Sequence, residues 1–304
     1  MVLFQQMIVL FIIMIVGLIS YKKQIITDEV IQKFSSIVIN VANPCLIISS
    51  VITGGNSITG KALITALIAA LIIFTFLIGL AEILPFLLHI PKDSYGAYKA
   101  MTVFSNIGFM GFPIISAVYG NEALLFGSIF ILPYNLLIYT YGIRVMKKSE
   151  SKTIKFNLSL ILNNGVIACI IAIIIFITKF IPPVFAVKSI KMISDLAAPL
   201  SMMVIGASFA TINIKEMFTN YKLLIFSIIK LLVVPIVGVL LLKIFIKDEV
   251  LIGVCMIMLA TPVGSMVPML AQEYNGDYAT GVKGVAVTTL LSVITMSVVS
   301  LLVL

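Results

Sequence analysis

Apolar runs of about 20 residues, the length that crosses a hydrocarbon core of roughly 30 Å, recur from one end of this chain to the other. A bilayer offers backbone N–H and C=O groups no partner, so only helices or closed barrels can cross it. These runs are continuous and lack the short in-out alternation of barrel strands. The chain is therefore read as an all-α polytopic membrane protein. Its make-up agrees: 61% of residues are hydrophobic and only 11% charged, too little polar surface for a soluble protein of 304 residues. Spans are expected at about 3–21, 35–53, 61–88, 98–118, 122–143, 158–180, 188–209, 221–245, 250–272 and 279–303. Met1–Ser20 has no basic leader and no small-residue cleavage site, and reads as the first span.

The chain also repeats itself. Pro44 and Pro199, Pro113 and Pro268, and Tyr119 and Tyr274 each stand 155 residues apart. Lys33/Lys188, Met101/Met256 and the dipeptides Lys92-Asp93 and Lys247-Asp248 keep the same step, and Glu122/Asp277 keep it as a like-charged pair. Five spans per copy is an odd number, so the second copy enters the bilayer upside down. The expected organisation is a first five-helix repeat over 1–143, a short cytoplasmic linker over 144–157 and a second, inverted five-helix repeat over 158–304.

Basic residues set the orientation. Loops after odd-numbered spans hold 13 Lys and Arg and the others 6, with Lys230 inside a span. Odd loops are thus expected in the cytoplasm and both termini outside, in a plasma (cell inner) membrane. This loop placement accounts for the net charge of +8 without nucleic acid, and one Arg against 19 Lys argues the same way. Cys45, Cys169 and Cys255 lie in apolar runs and form no Cys-x-x-Cys or Cys/His cluster, and His89 stands alone; no disulfide framework, metal site or cofactor is expected.

The two most polar spans carry the matched breaks. Span four reads SNIGFMGFPIISAVYGNE (105–122) and span nine ATPVGSMVPMLAQEYNGD (260–277). Gly108, Gly111 and Pro113 are expected to open the first helix, and Pro262, Gly264 and Pro268 the second, because proline lacks an N–H and glycine frees the backbone. Half-helix N-termini offer unpaired N–H groups and partial positive charge. Two such breaks, crossing near the midplane, suit an anion, with Ser105, Asn106, Thr261 and Ser265 adding neutral donors and acceptors.

Further candidates lie at mid-membrane. Asn43, beside Pro44, either reaches the substrate or makes a helix–helix hydrogen bond. Tyr134, in LPYN (132–135), is the tyrosine away from the span ends. Glu82 and Lys230 are ionisable groups within spans, which makes them candidates for ion coupling. Lys230 is expected to pair with a carboxylate or to snorkel to the interface.

The segment NIGFMGFP (106–113), closed by Tyr119-Gly120, resembles the Asn-x-x-x-Met-Gly-x-Pro … Tyr-Gly stretch of the auxin efflux carrier superfamily, which includes the plant PIN-type exporters and bacterial carriers. Pro262-Val-Gly264, followed by Glu273-Tyr274-Asn275, is similar to that family's second crossover, although the following proline stands at Pro268. The long central loop of the plant exporters is replaced by 144–155. The resemblance implies a fold like the bile-acid symporter and sodium/proton antiporter group. Spans 1, 2, 6 and 7 would form a dimerising scaffold, and spans 3–5 and 8–10 a unit that moves as an elevator. Asn106 would contact a small carboxylate, malate-, malonate- or auxin-like. A non-transporting sensor or a channel for the same solutes is the alternative. The chain shows no HExxH, Asp-Asp-x-x-Asp or Gly-x-Gly-Asp motif of a membrane-embedded enzyme.

Overall fold

The computed structural model describes residues 2–52, 59–146, 162–210 and 220–303. Its helices, in chain order, are α1 (Val2–Lys22), α2 (Asp28–Ile52), α3 (Gly60–Leu87), α4 (Tyr95–Val103), α5 (Ile107–Tyr119) and α6 (Asn121–Met146). They continue with α7 (Asn164–Thr178), α8 (Val184–Phe209), α9 (Tyr221–Lys243), α10 (Glu249–Ala260), α11 (Met266–Glu273) and α12 (Tyr278–Val303). Six of them, α2, α3, α6, α8, α9 and α12, are long and apolar enough to cross a bilayer, and α5, α7, α10 and the Ile8–Lys22 stretch of α1 are shorter apolar helices. Most of the linker expected at 144–157 lies outside the described residues, as do Lys147, Lys148, Lys152, Lys155 and Lys215 from the orientation count.

Helix starts follow from local side chains. Thr59 Oγ1 accepts the N–H of Ala62 (3.2 Å), Asn163 Oδ1 accepts those of Gly165 and Val166 (both 3.1 Å), and Asp248 Oδ1 accepts that of Leu251 (3.0 Å). Each cap satisfies donors that the first helical turn leaves orphaned. The helices at the two matched tyrosines end at positive-φ residues: α5 stops at Tyr119 before Gly120 (φ +81°), and α11 stops just before Tyr274 and Asn275 (φ +59°). A left-handed residue is what ends a helix in this way.

Packing divides along recognisable lines. Helix α1 lies against the second half of α8, and α7 and the first half of α8 lie against α2. Helix α3 packs on α4, α9 on α10, and α12 on both α4 and α11. The α1–α8 contact is close because it is made backbone to backbone. A Cβ at Gly17 would fall 2.2 Å from Met203 O, and one at Gly206 would fall 1.8 Å from Met14 O.

Four helices contain a wide π turn: Val38–Ala42 in α2, Ile107–Gly111 in α5, Ile138–Gly142 in α6 and Ile229–Val233 in α9. Such turns insert one residue into the helical ladder and recur at functional sites. Three of the four are followed within two residues by a proline, Pro44, Pro113 or Pro235.

Candidate functional site

The freed backbone of one broken span finds that of the other. Helix α4 ends at Val103 and Phe104 is extended (φ −98°, ψ 97°). Thr261, before Pro262, is extended as well (φ −62°, ψ 145°), as a residue preceding proline prefers. The Asn106 N–H donates to Pro262 O (2.7 Å) and the Gly264 N–H to Phe104 O (2.9 Å). Ser105 and Val263 thereby form an antiparallel bridge between the breaks. The approach is tight: a Cβ at Gly264 would lie 3.0 Å from Ser105 O. Behind the bridge, the Val263 N–H donates to Thr288 Oγ1 (3.0 Å).

Helix α5 then restarts on Asn106. Its Oδ1 accepts the Phe109 N–H (3.2 Å), and its carbonyl accepts the N–H groups of Met110 (3.2 Å) and Gly111 (3.1 Å). Because Asn106 Oδ1 is committed to the helix, its Nδ2 donors face the site, and they meet no acceptor among the described residues. In the π register of this turn the partner of Gly108 O would be the N–H of residue 113, which is proline. Asn43 Nδ2 takes that carbonyl instead (3.2 Å). Asn43 Oδ1 is left buried and without a protein partner.

These groups line a cavity of about 370 Å³. Its wall holds Asn43, Asn106, Gly108, Gly264 and Ser265 from the breaks and α2, then Tyr134, Asn135 and Tyr139 from α6, with Asn40 of α2 and Asn163 at the start of α7. Apolar side chains, among them Ile47, Phe109, Phe112, Ile131, Met266 and Met269, supply most of the rest. Among the described residues no Lys, Arg, Asp or Glu lines it. Asparagines hold each other in place: Asn163 Nδ2 donates to Asn135 Oδ1 (2.6 Å), and Asn164 Nδ2 to Asn40 Oδ1 (3.1 Å). A second, smaller cavity meets the break from the α8 and α12 side and shares Asn106, Phe109 and Ser265 with the first.

Tyr134 lines the main cavity and donates its hydroxyl to Ser105 O (3.1 Å), with its ring edge-on to Phe104 at 5.7 Å between centroids. It thus braces the bridge as well as facing the site. Asn43 does both things weighed for it, a helix–helix hydrogen bond and a place on the wall.

Other expected site residues are not on that wall. Thr261 and Pro262 lie in the second break, but Gly111 and Pro113 lie within α5 and Pro268 within α11, so the first helix opens at 104–106, ahead of the glycines and proline expected to open it. Thr261 Oγ1 is bound back to Met258 O (3.0 Å), and Pro113 is buried behind the first turn of α5. Pro268 packs against Gly281, where a Cβ would lie 3.2 Å from Pro268 Cα.

The two ionisable candidates part company. Glu82 lies away from the breaks in a separate cavity with Lys99, Tyr141 and Arg144. It forms a close ion pair with Lys99 and accepts the Tyr141 hydroxyl (2.8 Å). Lys230 corrects both expectations held for it. It neither pairs with a carboxylate among the described residues nor snorkels; it is 0% exposed, and its Nζ donates to Thr102 O (3.0 Å) and Ser105 Oγ (2.8 Å).

Asn163 and Tyr139 were not foreseen. Asn163 had a signal in the sequence, an Asn-Asn-Gly just ahead of an apolar run, which marks a helix start. Tyr139 had none, because its place near a span end matches that of any interfacial tyrosine.

The profile of a family described as "Membrane transport protein" matches residues 2–155 and again residues 151–300. A protein of Methanocaldococcus jannaschii described as an uncharacterized transporter is 27% identical over 240 residues, covering 75% of this chain and 75% of that protein.

Proposed function

The chain belongs to the membrane transport protein family, and from that premise we propose that it carries small organic anions across the cell's inner membrane by alternating access. It is a multi-pass membrane transport protein and not an enzyme. The observation that carries the proposal is the meeting of the two breaks: the Asn106 Nδ2 donors stand at a cavity whose lining, among the described residues, includes no Asp or Glu. Dipoles at the starts of α5 and α11 favour a carboxylate there. The apolar wall accommodates the body of an auxin-like acid as readily as the chain of a malate- or malonate-like one.

The repeat step of 155 residues and the paired breaks support two inverted five-helix units over 1–143 and 158–304. In this reading α1, α2, α7 and α8 form the scaffold, and the remaining helices form the moving unit. A homodimer through the scaffold follows from the family resemblance. If odd loops are cytoplasmic, Tyr139, Asn163, Met266 and Met269 line the cavity on the inner side of the breaks, and Ile47 and Phe112 on the outer side. The cavity at the opposite ends, lined by Ser50, Thr59, Glu122 and Lys179, includes no break residue.

Uptake of labelled organic acids into liposomes holding the purified protein tests the proposal. Saturable uptake that unlabelled acids inhibit is expected; absence of uptake across a panel of mono- and dicarboxylates would end it. Glu82 ties α3 to α4 and α6 through Lys99 and Tyr141, and in this reading it has a structural role in place of proton coupling. Glu82→Gln is expected to cost less than about 1 kcal/mol of stability and to leave the response of uptake to an imposed pH gradient unchanged. Loss of that response in the variant would make Glu82 the coupling group after all.

A further inference from the structure

The first break strands a carbonyl. Thr102 O would accept the N–H four residues on in a continuous helix, but the Asn106 N–H is given to Pro262 O. Lys230 Nζ occupies that carbonyl and also takes Ser105 Oγ. Among the described residues the second break shows no such charge behind it; there the Thr288 hydroxyl accepts the Val263 N–H. Lys230 rises from the π turn of α9, is fully sealed from the surface, and is absent from the ion pairs among the described residues, which are Lys33–Glu29, Lys99–Glu82 and Lys191–Asp195.

An ammonium held inside a membrane bundle without a carboxylate is expensive. Carbonyls opened by a broken membrane helix are, in other carriers, the groups that coordinate an inorganic cation. We propose that Lys230 is the resident cation of the crossing. Its ammonium holds Thr102 O and Ser105 Oγ in the open form and supplies the positive charge against which the anion binds at Asn106, one residue further on. The first half of this proposal stands on the bridge geometry alone; the second rests on the carboxylate reading above. The substrate then brings the countercharge that Lys230 lacks among the described residues, and no sodium or potassium ion is needed to complete the site.

Thermal unfolding of the purified protein, with uptake beside it, provides the test. Exchange of sodium for potassium or N-methylglucamine at equal ionic strength is expected to leave the unfolding temperature and uptake of the unaltered protein unchanged. A requirement for sodium in either readout overturns the proposal. Lys230→Ala is expected to unfold at lower temperature and to regain stability with propylammonium chloride but not with propanol. Lys230→Met, equal in length but neutral, is expected to lose at least tenfold in uptake and to gain nothing from the amine. Unchanged uptake in Lys230→Met overturns the proposal and leaves the carrier reading intact, and this arm decides even if Lys230→Ala fails to fold. Rescue by the amine together with no carboxylate uptake by the unaltered protein has the opposite meaning: Lys230 is the resident cation and the carboxylate reading is wrong.

Discussion

Asn106→Ala is expected to cut carboxylate uptake by roughly ten- to a hundredfold while the protein still folds. A hydrogen bond to a charged group contributes about 1.5–3 kcal/mol, and each 1.4 kcal/mol is about tenfold. The free Nδ2 donors of Asn106 lie on the cavity wall, in a side chain that is only 6% exposed. The same variant loses the cap on the Phe109 N–H, for about 0.5–2 kcal/mol. Asn106→Asp separates the two effects. It keeps an acceptor for the cap but turns the free donors into a like charge facing the substrate. Its stability is expected to lie near that of the unaltered protein and its uptake below that of the alanine variant. Uptake by Asn106→Ala within twofold of the unaltered protein would remove Asn106 from the site.

Gly206→Ala is expected to destabilise the protein by about 1–3 kcal/mol or more, the usual cost of forcing atoms into a filled space. The added Cβ would stand 1.8 Å from Met14 O, so α1 and α8 must separate. Gly17→Ala meets Met203 O from the other helix and is expected to behave alike. Gly79→Ala is the control. Its Cβ would meet nothing within 4 Å, and alanine in a helix interior is favoured over glycine by about 0.5–1 kcal/mol. Equal thermal stability of Gly206→Ala and Gly79→Ala would contradict the backbone contact between α1 and α8.

The breaks were legible because proline and glycine act locally. Pro262 and Gly264 mark where α10 and α11 part, whereas the first break falls at 104–106, just ahead of Gly108, Gly111 and Pro113, which lie inside α5 around its wide first turn. The family resemblance carried by NIGFMGFP is borne out by the profile match over both halves. Spacing alone did not say which of the break residues face the cavity. Pro113, Thr261 and Pro268 look like site residues in a one-dimensional list, but the wide first turn of α5 and the packing of α11 on α12 turn them elsewhere. Lys230 was hardest to read. A lone lysine in a span is compatible with an ion pair, with snorkelling or with a carbonyl ligand. The choice depends on where α9 lies relative to a segment more than 120 residues away in the chain. Asn43 was ambiguous for the same reason, and the answer came from a missing N–H at Pro113 in a different helix.

The central claim is that a carboxylate binds where the two interrupted helices cross. Bound-state density for a bromine-labelled organic acid, located by its anomalous signal, tests this most directly. The account predicts a peak in the cavity between Asn43, Asn106 and Ser265, with the carboxylate toward Asn106. A peak confined to the separate cavity of Glu82, Lys99 and Arg144, with the crossing unoccupied at saturating acid, would contradict it.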